Sequence, residues 1–286
     1  MAMTKQNKIG LVLFLGLWAV LAIIFGIYDL QISLNIANIE SAWANFFEAY
    51  GQLTGMLVGL LSANVLFRLR NRKRNLKSIT YAFLIFLWAI FSGLGFWMDA
   101  MGMQVNQDTS VFPVAAVLGL LTFIALQFGF RFIPDETMYK FERPAKIGVL
   151  LSILAPLITT WVFKIAWGRM TFHELAPDYS KFTPWYLPQG NNGHHSFPSG
   201  HTSFAWMILP ITLLAVLVKP AWWLTWAVVI IWGVVSAVSR VVIGAHFASD
   251  VLFGACLTIS WFLILQKVVA PYRETSFDLK PVQEAG

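Results

Sequence analysis

Pro198-Ser199-Gly200-His201 and, 38 positions after His201, the run Ser239-Arg240-Val241-Val242-Ile243-Gly244-Ala245-His246-Phe247-Ala248-Ser249-Asp250 decide how this chain is read. Two histidines, an arginine and an aspartate stand at spacings that suit one phosphate site, in a chain that is otherwise largely lipid-soluble. His246 and Asp250 are four apart, so on a helix they would share one face. A carboxylate so placed holds an imidazole in one tautomer and leaves the other ring nitrogen free to attack. The run Pro198–His201 is small and turn-prone and precedes an apolar stretch. Backbone N–H groups at such a helix start can receive an anion.

Composition sets the compartment. Of 286 residues, 58% are hydrophobic and 12% are charged. A soluble domain of this length carries roughly twice that charged fraction, so the chain reads as an all-α, polytopic membrane bundle. The only cysteine, Cys256, lies in an apolar run. That excludes an intramolecular disulfide and reads as a small buried residue of a membrane helix. The net charge of +6 sits in short loops between hydrophobic segments, so it implies membrane topology and no nucleic-acid partner.

Eight candidate spans fall near 9–28, 50–67, 79–98, 111–130, 147–165, 202–218, 221–241 and 247–266. The first follows Lys5 and Lys8, lacks a small-residue cleavage site, and reads as a retained helix. Residues 29–49 mix large apolar side chains with Asn, Glu and Ser, as an interfacial helix does. With the N-terminus placed in the cytoplasm, 16 of the 20 Lys and Arg fall on the inner side, including the run Arg68–Lys77. Both termini are therefore expected to be cytoplasmic. The outer side keeps Lys164, Arg169, Lys181 and Arg240.

Three of those four cations join the histidines. Lys164 ends the fifth span, and residues 166–201 form a long polar loop carrying Arg169. His201 opens the sixth span, Arg240 closes the seventh, and His246 and Asp250 open the eighth. Pieces distant in sequence are thus expected to converge at one membrane depth, on the outer face. Loops this long are usually functional or disordered, and this one is too rich in aromatics for disorder.

The chain resembles the type 2 phosphatidic acid phosphatase superfamily, which includes vanadium haloperoxidases and glucose-6-phosphatase. The family signature is K-x6-R-P, then P-S-G-H, then S-R-x5-H-x3-D. Its second part is matched in full by Pro198-Ser199-Gly200-His201, and its third by Ser239, Arg240, His246 and Asp250. The likeness covers roughly residues 147–266. The first part departs: counting from Lys164, Thr171-Phe172 stand where the pattern has Arg-Pro, and an arginine comes two positions early at Arg169. Losing one charge-assisted bond to phosphate costs about 1.5–3 kcal/mol, a warning about rate and substrate.

The resemblance implies that His246 attacks phosphorus and forms a phosphohistidine, with Asp250 fixing its tautomer. It implies that His201 protonates the leaving group and then activates water. Lys164, Arg169 and Arg240, with the N–H groups around Ser199 and Gly200, would neutralise the phosphate oxygens. No metal and no cofactor are implied. The expected layout is an N-terminal extension (1–146), a catalytic core (147–266) and a cytoplasmic tail (267–286), in a plasma membrane of bacterial type.

Other polar groups read as ordinary. His173 with Glu174 suits a solvated loop pair, and Asp99 and Asp108 the edges of an outer loop. His194-His195 has no third zinc ligand at a recognisable spacing. Trp222, Trp223 and Trp226 beside Pro220 suit an interfacial belt. The basic run 68–77 reads as a topology signal, with attraction to anionic headgroups secondary.

The function expected is hydrolysis of a membrane-lipid phosphate or diphosphate of the undecaprenyl diphosphate, phosphatidate or phosphatidylglycerophosphate type. A lipid phosphotransferase would use the same intermediate. A non-catalytic phosphate-lipid transporter or scaffold would draw on the missing Arg-Pro alone. The expected partners are a membrane lipid and the bilayer, and no feature of the sequence specifies an oligomeric state.

Overall fold

The computed structural model describes residues 5–101, 111–217 and 222–269, and among these no strand occurs. Asp108, Lys219, Pro220 and the tail from 270, with Arg273 and Lys280, lie outside the described residues. Among the described residues, six segments are long and apolar enough to cross a membrane: Lys8–Ile36, Ala42–Arg68, Leu76–Ala100, Val111–Phe132, Trp222–Val242 and Ala248–Val268.

The expected fifth and sixth spans, near 147–165 and 202–218, are not among these six and take another form, so the expected count of eight is not reached among the described residues. Helix α7 (Glu142–Pro156) passes into a π-helical stretch, Leu157–Phe163, and then the short α8 (Lys164–Trp167). Pro156 has no N–H for the carbonyl four residues back, and the ladder widens rather than continuing. Helix α10 (Gly200–Trp206) gives way to a 3-10 stretch, Leu209–Leu217, that contains Pro210.

The N-terminal third is also built differently from expectation. Helix α1 (Lys5–Ile36) is 32 residues long, or about 48 Å at 1.5 Å per residue, against a hydrocarbon core of roughly 30 Å. It absorbs residues 29–36 of the expected interfacial segment. Its one acid, Asp29, is fully buried instead of facing headgroups. The rest of that segment forms α2 (Ala42–Tyr50), which helical dihedrals at Gly51 and Gln52 join to α3 (Leu53–Arg68), so it belongs to the apolar segment Ala42–Arg68.

Two apolar cores share α7. One packs Ile147, Leu151 and Ala155 against Trp206 and Met207, Val229 of α11 (Trp222–Val242), and Phe262 and Leu265 of α12 (Ala248–Val268). The other packs Ala145 and Val149 against α3, Ile85 and Ala89 of α4 (Leu76–Ala100), and Phe123 of α5 (Val111–Gly129). Helices α4 and α5 meet at Gly93 and Gly119, where a methyl on Gly93 would stand 3.1 Å from the Gly119 Cα. Such close backbone approach replaces the hydrophobic effect that lipid cannot supply. Asp99 sits in the last turn of α4 with one carboxylate oxygen buried, so it is not the solvated loop edge expected.

Candidate active site

The long loop after α8 is ordered by its own bonds. Gly168 caps α8 with a φ of +53°, a conformation glycine adopts at no steric cost. A side chain there would also strike the Gly190 carbonyl. Asn192 Nδ2 donates to the Gly168 carbonyl (2.7 Å), and Ser196 N to the Arg169 carbonyl (2.9 Å). Trp185 Nε1 donates to the Ala22 carbonyl on α1 (2.9 Å), which docks the loop on the first helix. Glu174 pairs with His194 (3.2 Å), rather than with the adjacent His173, and caps α9 (Phe172–Leu175) through the Thr171 N–H (2.6 Å). Although partial burial opposes it, those bonds hold the Glu174 carboxyl below its ordinary value. No cluster that could hold a metal ion occurs among the described residues.

His246 lies outside the helix expected to carry it. It sits in the turn between α11 and α12, and Phe247 is the N-cap of α12. Asp250 therefore occupies the third helical position, where it accepts from the Phe247 N–H at 2.9 Å. That local bond is the reason for the placement: the carboxylate satisfies an otherwise orphaned helix-start donor. His246 Nδ1 stands 3.6 Å from Asp250 Oδ2 and 3.5 Å from Ser196 Oγ, and Ser196 Oγ donates to the same Asp250 oxygen at 2.6 Å. The imidazole is thus oriented through Nδ1, which leaves Nε2 as its reactive nitrogen. Burial pushes the buried His246 ring down to about 4, against the pull of Asp250. It is neutral at neutral pH.

Arg169 is committed elsewhere than a phosphate clamp. Its guanidinium is 2% exposed and donates to Asp250 Oδ1 (2.6 Å), Asp29 Oδ2 (2.9 Å), Ser249 Oγ (2.8 Å) and the Thr183 carbonyl (2.8 Å). The rings of Phe247 and Phe182 flank it at 4.2 and 5.5 Å. Asp29 in turn accepts from the Ser249 N–H (2.8 Å) and the Ser249 hydroxyl. One buried cation therefore joins two buried carboxylates, a geometry that excludes water and fixes Asp250.

Arg240 presents the contrary case. It is 4% exposed, and its Nε and one terminal nitrogen have no hydrogen-bond partner among the described residues. Glu48 of α2 stands 3.5 Å from that terminal nitrogen. A buried guanidinium with unused donors costs stability unless an anion completes it. Arg240, Lys164 and His246 all lie within electrostatic reach of His201. Gln52 Nε2 stands 2.7 Å from His201 Nε2, and the Glu48 carbonyl 3.3 Å from it.

Ser199 is the N-cap of α10 and accepts from Thr202 N at 3.3 Å, but its own N–H donates to the Asp250 carbonyl at 2.9 Å. Any amide offered to phosphate here starts at Gly200. Gly254 of α12 permits this contact, because a side chain there would stand 2.4 Å from the Ser199 carbonyl oxygen. Lys164, His201, Arg240, His246 and Asp250 are thus gathered around one place, with Ser199 and Gly200 beside them. Asp29, Glu48, Gln52, Ser196 and Ser249 join them without having been read from the sequence. The one visible signal was Asp29, a lone acid within an apolar helix.

Residues 145–273 match the PAP2 superfamily. The chain thus carries a domain of the type 2 phosphatidic acid phosphatase superfamily, in its C-terminal half. A protein of Sulfolobus acidocaldarius described as an undecaprenyl-diphosphatase is 29% identical over 157 residues, covering 53% of this chain and 70% of that protein. No solved structure matches.

Proposed function

We propose that this protein is an integral-membrane phosphatase that removes the terminal phosphate of a lipid diphosphate, an isoprenoid diphosphate first among them. The observation that carries the reading is Arg240: a buried guanidinium with unused donors, beside two imidazoles, at the mouth of an apolar bundle. The undecaprenyl-diphosphatase description of the Sulfolobus relative supports the diphosphate. An apolar cavity of about 540 Å³ reaches Val241 and Ala248, on either side of the His246 turn, and supports a lipid tail.

His246 Nε2 attacks the terminal phosphorus while His201 gives a proton to the departing lipid phosphate oxygen. Lys164 and Arg240 neutralise the oxygens of the transferring group. Water, losing a proton to His201, then attacks the phosphohistidine and releases inorganic phosphate, restoring His246. Arg169 acts through Asp250 as a positioning residue, and Asp29 through Arg169. Gln52 and the Glu48 carbonyl orient His201. The catalytic core is the segment 147–266, with residues 1–146 as its support. The uneven distribution of Lys and Arg between alternate loops supports a site on the extracytoplasmic face, with both termini in the cytoplasm.

The test is phosphate release by detergent-purified protein, without added acceptor alcohol, from isoprenoid diphosphates, phosphatidate and phosphatidylglycerophosphate, with His201→Ala as the blank. Release fastest from the diphosphate is expected. Release equal to the His201→Ala blank on every lipid would overturn the proposal.

A further inference from the structure

At the opposite end of α3 from His201 lies a second concentration of charge. Gln52, touching His201, immediately precedes α3, and Arg68 is its last residue. Sixteen residues of helix separate the two ends, or about 24 Å. At the far end a cavity of about 680 Å³ is lined by Arg68, Arg70, Arg72 and Arg131, over a floor that includes Phe67 and the buried Phe123.

The arginines differ in how they are held. Arg68 donates to Asp135 (2.5 Å) and to the Phe130 carbonyl (3.4 Å). Arg70 donates to the Phe67 carbonyl (2.5 Å) and lies 3.7 Å over the centre of the Phe67 ring. Both guanidiniums are therefore fixed before any ligand arrives, a saving in ordering cost that favours binding. Arg72 and Arg131 are exposed, and among the described residues neither they nor Arg70 form an ion pair with a carboxylate. Four cations against the single carboxylate of Asp135 leave three positive charges without a counter-charge. Burial, with Arg72 and Arg68 adding to it, lowers the proton affinity of Arg70, as expected where positive charge is crowded.

Depth and shape narrow the ligand. The pocket opens where the apolar segments Ala42–Arg68 and Val111–Phe132 both end, the level at which a span of that length meets lipid headgroups. Ile124 lines it and Phe128 borders it, and both are exposed on the outside of the bundle, where acyl chains would run. Guanidinium forks match phosphate oxygens in pairs, and basic pockets of this kind between spans accept anionic headgroups. We propose that this pocket is a binding site for the phosphate headgroup of an anionic membrane lipid, separate from the candidate active site and on the other face of the membrane. The inference does not depend on the phosphatase reading.

The experiment uses the full chain in detergent, titrated with phosphatidylglycerol or phosphatidylcholine and read by native mass spectrometry. Phosphatidylglycerol serves because it carries a phosphodiester and no terminal phosphate to hydrolyse. Arg72→Gln/Arg131→Gln is the informative variant, since both side chains are exposed and Arg68, Lys73, Arg74 and Lys77 still mark the topology. Retention of phosphatidylglycerol at least about tenfold tighter than phosphatidylcholine is expected, lost in the double variant and kept in Arg240→Gln. Equal retention of the two lipids, or retention unchanged in the double variant, would overturn the proposal. Glycerol 3-phosphate displacing the lipid at equal concentration would overturn the lipid assignment in favour of a soluble phosphate ester.

Discussion

The two halves of this bundle solve burial in opposite ways. Helices α3, α4 and α5 meet through small residues and apolar rings, with Gly93 against Gly119 and Phe67, Phe86 and Phe123 in mutual contact. Helices α1 and α12, the turn before α12 and the long loop instead bury Asp29, Arg169, Ser249, Asp250, Ser196 and His246 together. Lipid offers a buried charge no partner, so a polar set at this depth survives only when every member is matched. In Arg169, Asp29 and Asp250 the matching is dense. At Arg240 it is left incomplete, and that difference separates the scaffold of the site from its working surface.

Breaking the dense part should cost most. Asp29→Ala leaves one terminal nitrogen of Arg169 and the Ser249 N–H without their acceptor, and the buried cation with one carboxylate fewer. A loss of about 3–5 kcal/mol is expected, as for other broken buried pairs. It would appear as a lowered unfolding temperature in detergent, together with lost phosphate release. Asp29→Asn, which keeps the shape, should lose less.

The contact between α12 and the Pro198–His201 turn offers a sharper comparison. Gly254→Ala pushes a methyl into the Ser199 carbonyl and should cost about 1–3 kcal/mol. Gly16→Ala on α1 meets no atom within 4 Å and should be neutral or stabilising by up to ~1 kcal/mol. Equal effects in thermal unfolding would contradict the packing described.

Gln52→Ala removes a partner of His201 without touching His246. A fall in kcat of about tenfold with KM unchanged is expected, because orientation of an acid–base group is felt in the transition state. A shifted pH profile distinguishes this from a general loss of fold.

The smallest effect belongs to the loop. The lowered Glu174 carboxyl favours the folded loop above its ordinary value of 4.5, and that contribution is lost as pH falls through the lower folded value. Glu174→Gln should therefore flatten a slight acid dependence of unfolding temperature. It should leave phosphate release near neutrality unchanged.

These contrasts also explain what could be read from the sequence. His201, Arg240, His246 and Asp250 stand in two short runs, and polar residues in an apolar chain announce themselves. Arg169 announced only its charge. Its partners Asp29 and Asp250 lie 140 and 81 positions away, so a role beside Asp250 instead of phosphate was invisible locally. Glu48 and Gln52 were hidden for the same reason, since nothing before folding tells α2 that it will cover His201. Pro156 was visible, but hydropathy alone carried the fifth span through it.

The central claim is that His246 is the nucleophile. Rapid quenching of the protein with an isoprenoid diphosphate radiolabelled in its terminal phosphate tests it most directly. Acid-labile, base-stable label on the peptide containing His246, absent from His246→Ala and prolonged in His201→Ala, is the expected result. Label that persists in His246→Ala, or turnover by that variant at the rate of the unaltered protein, would contradict the account.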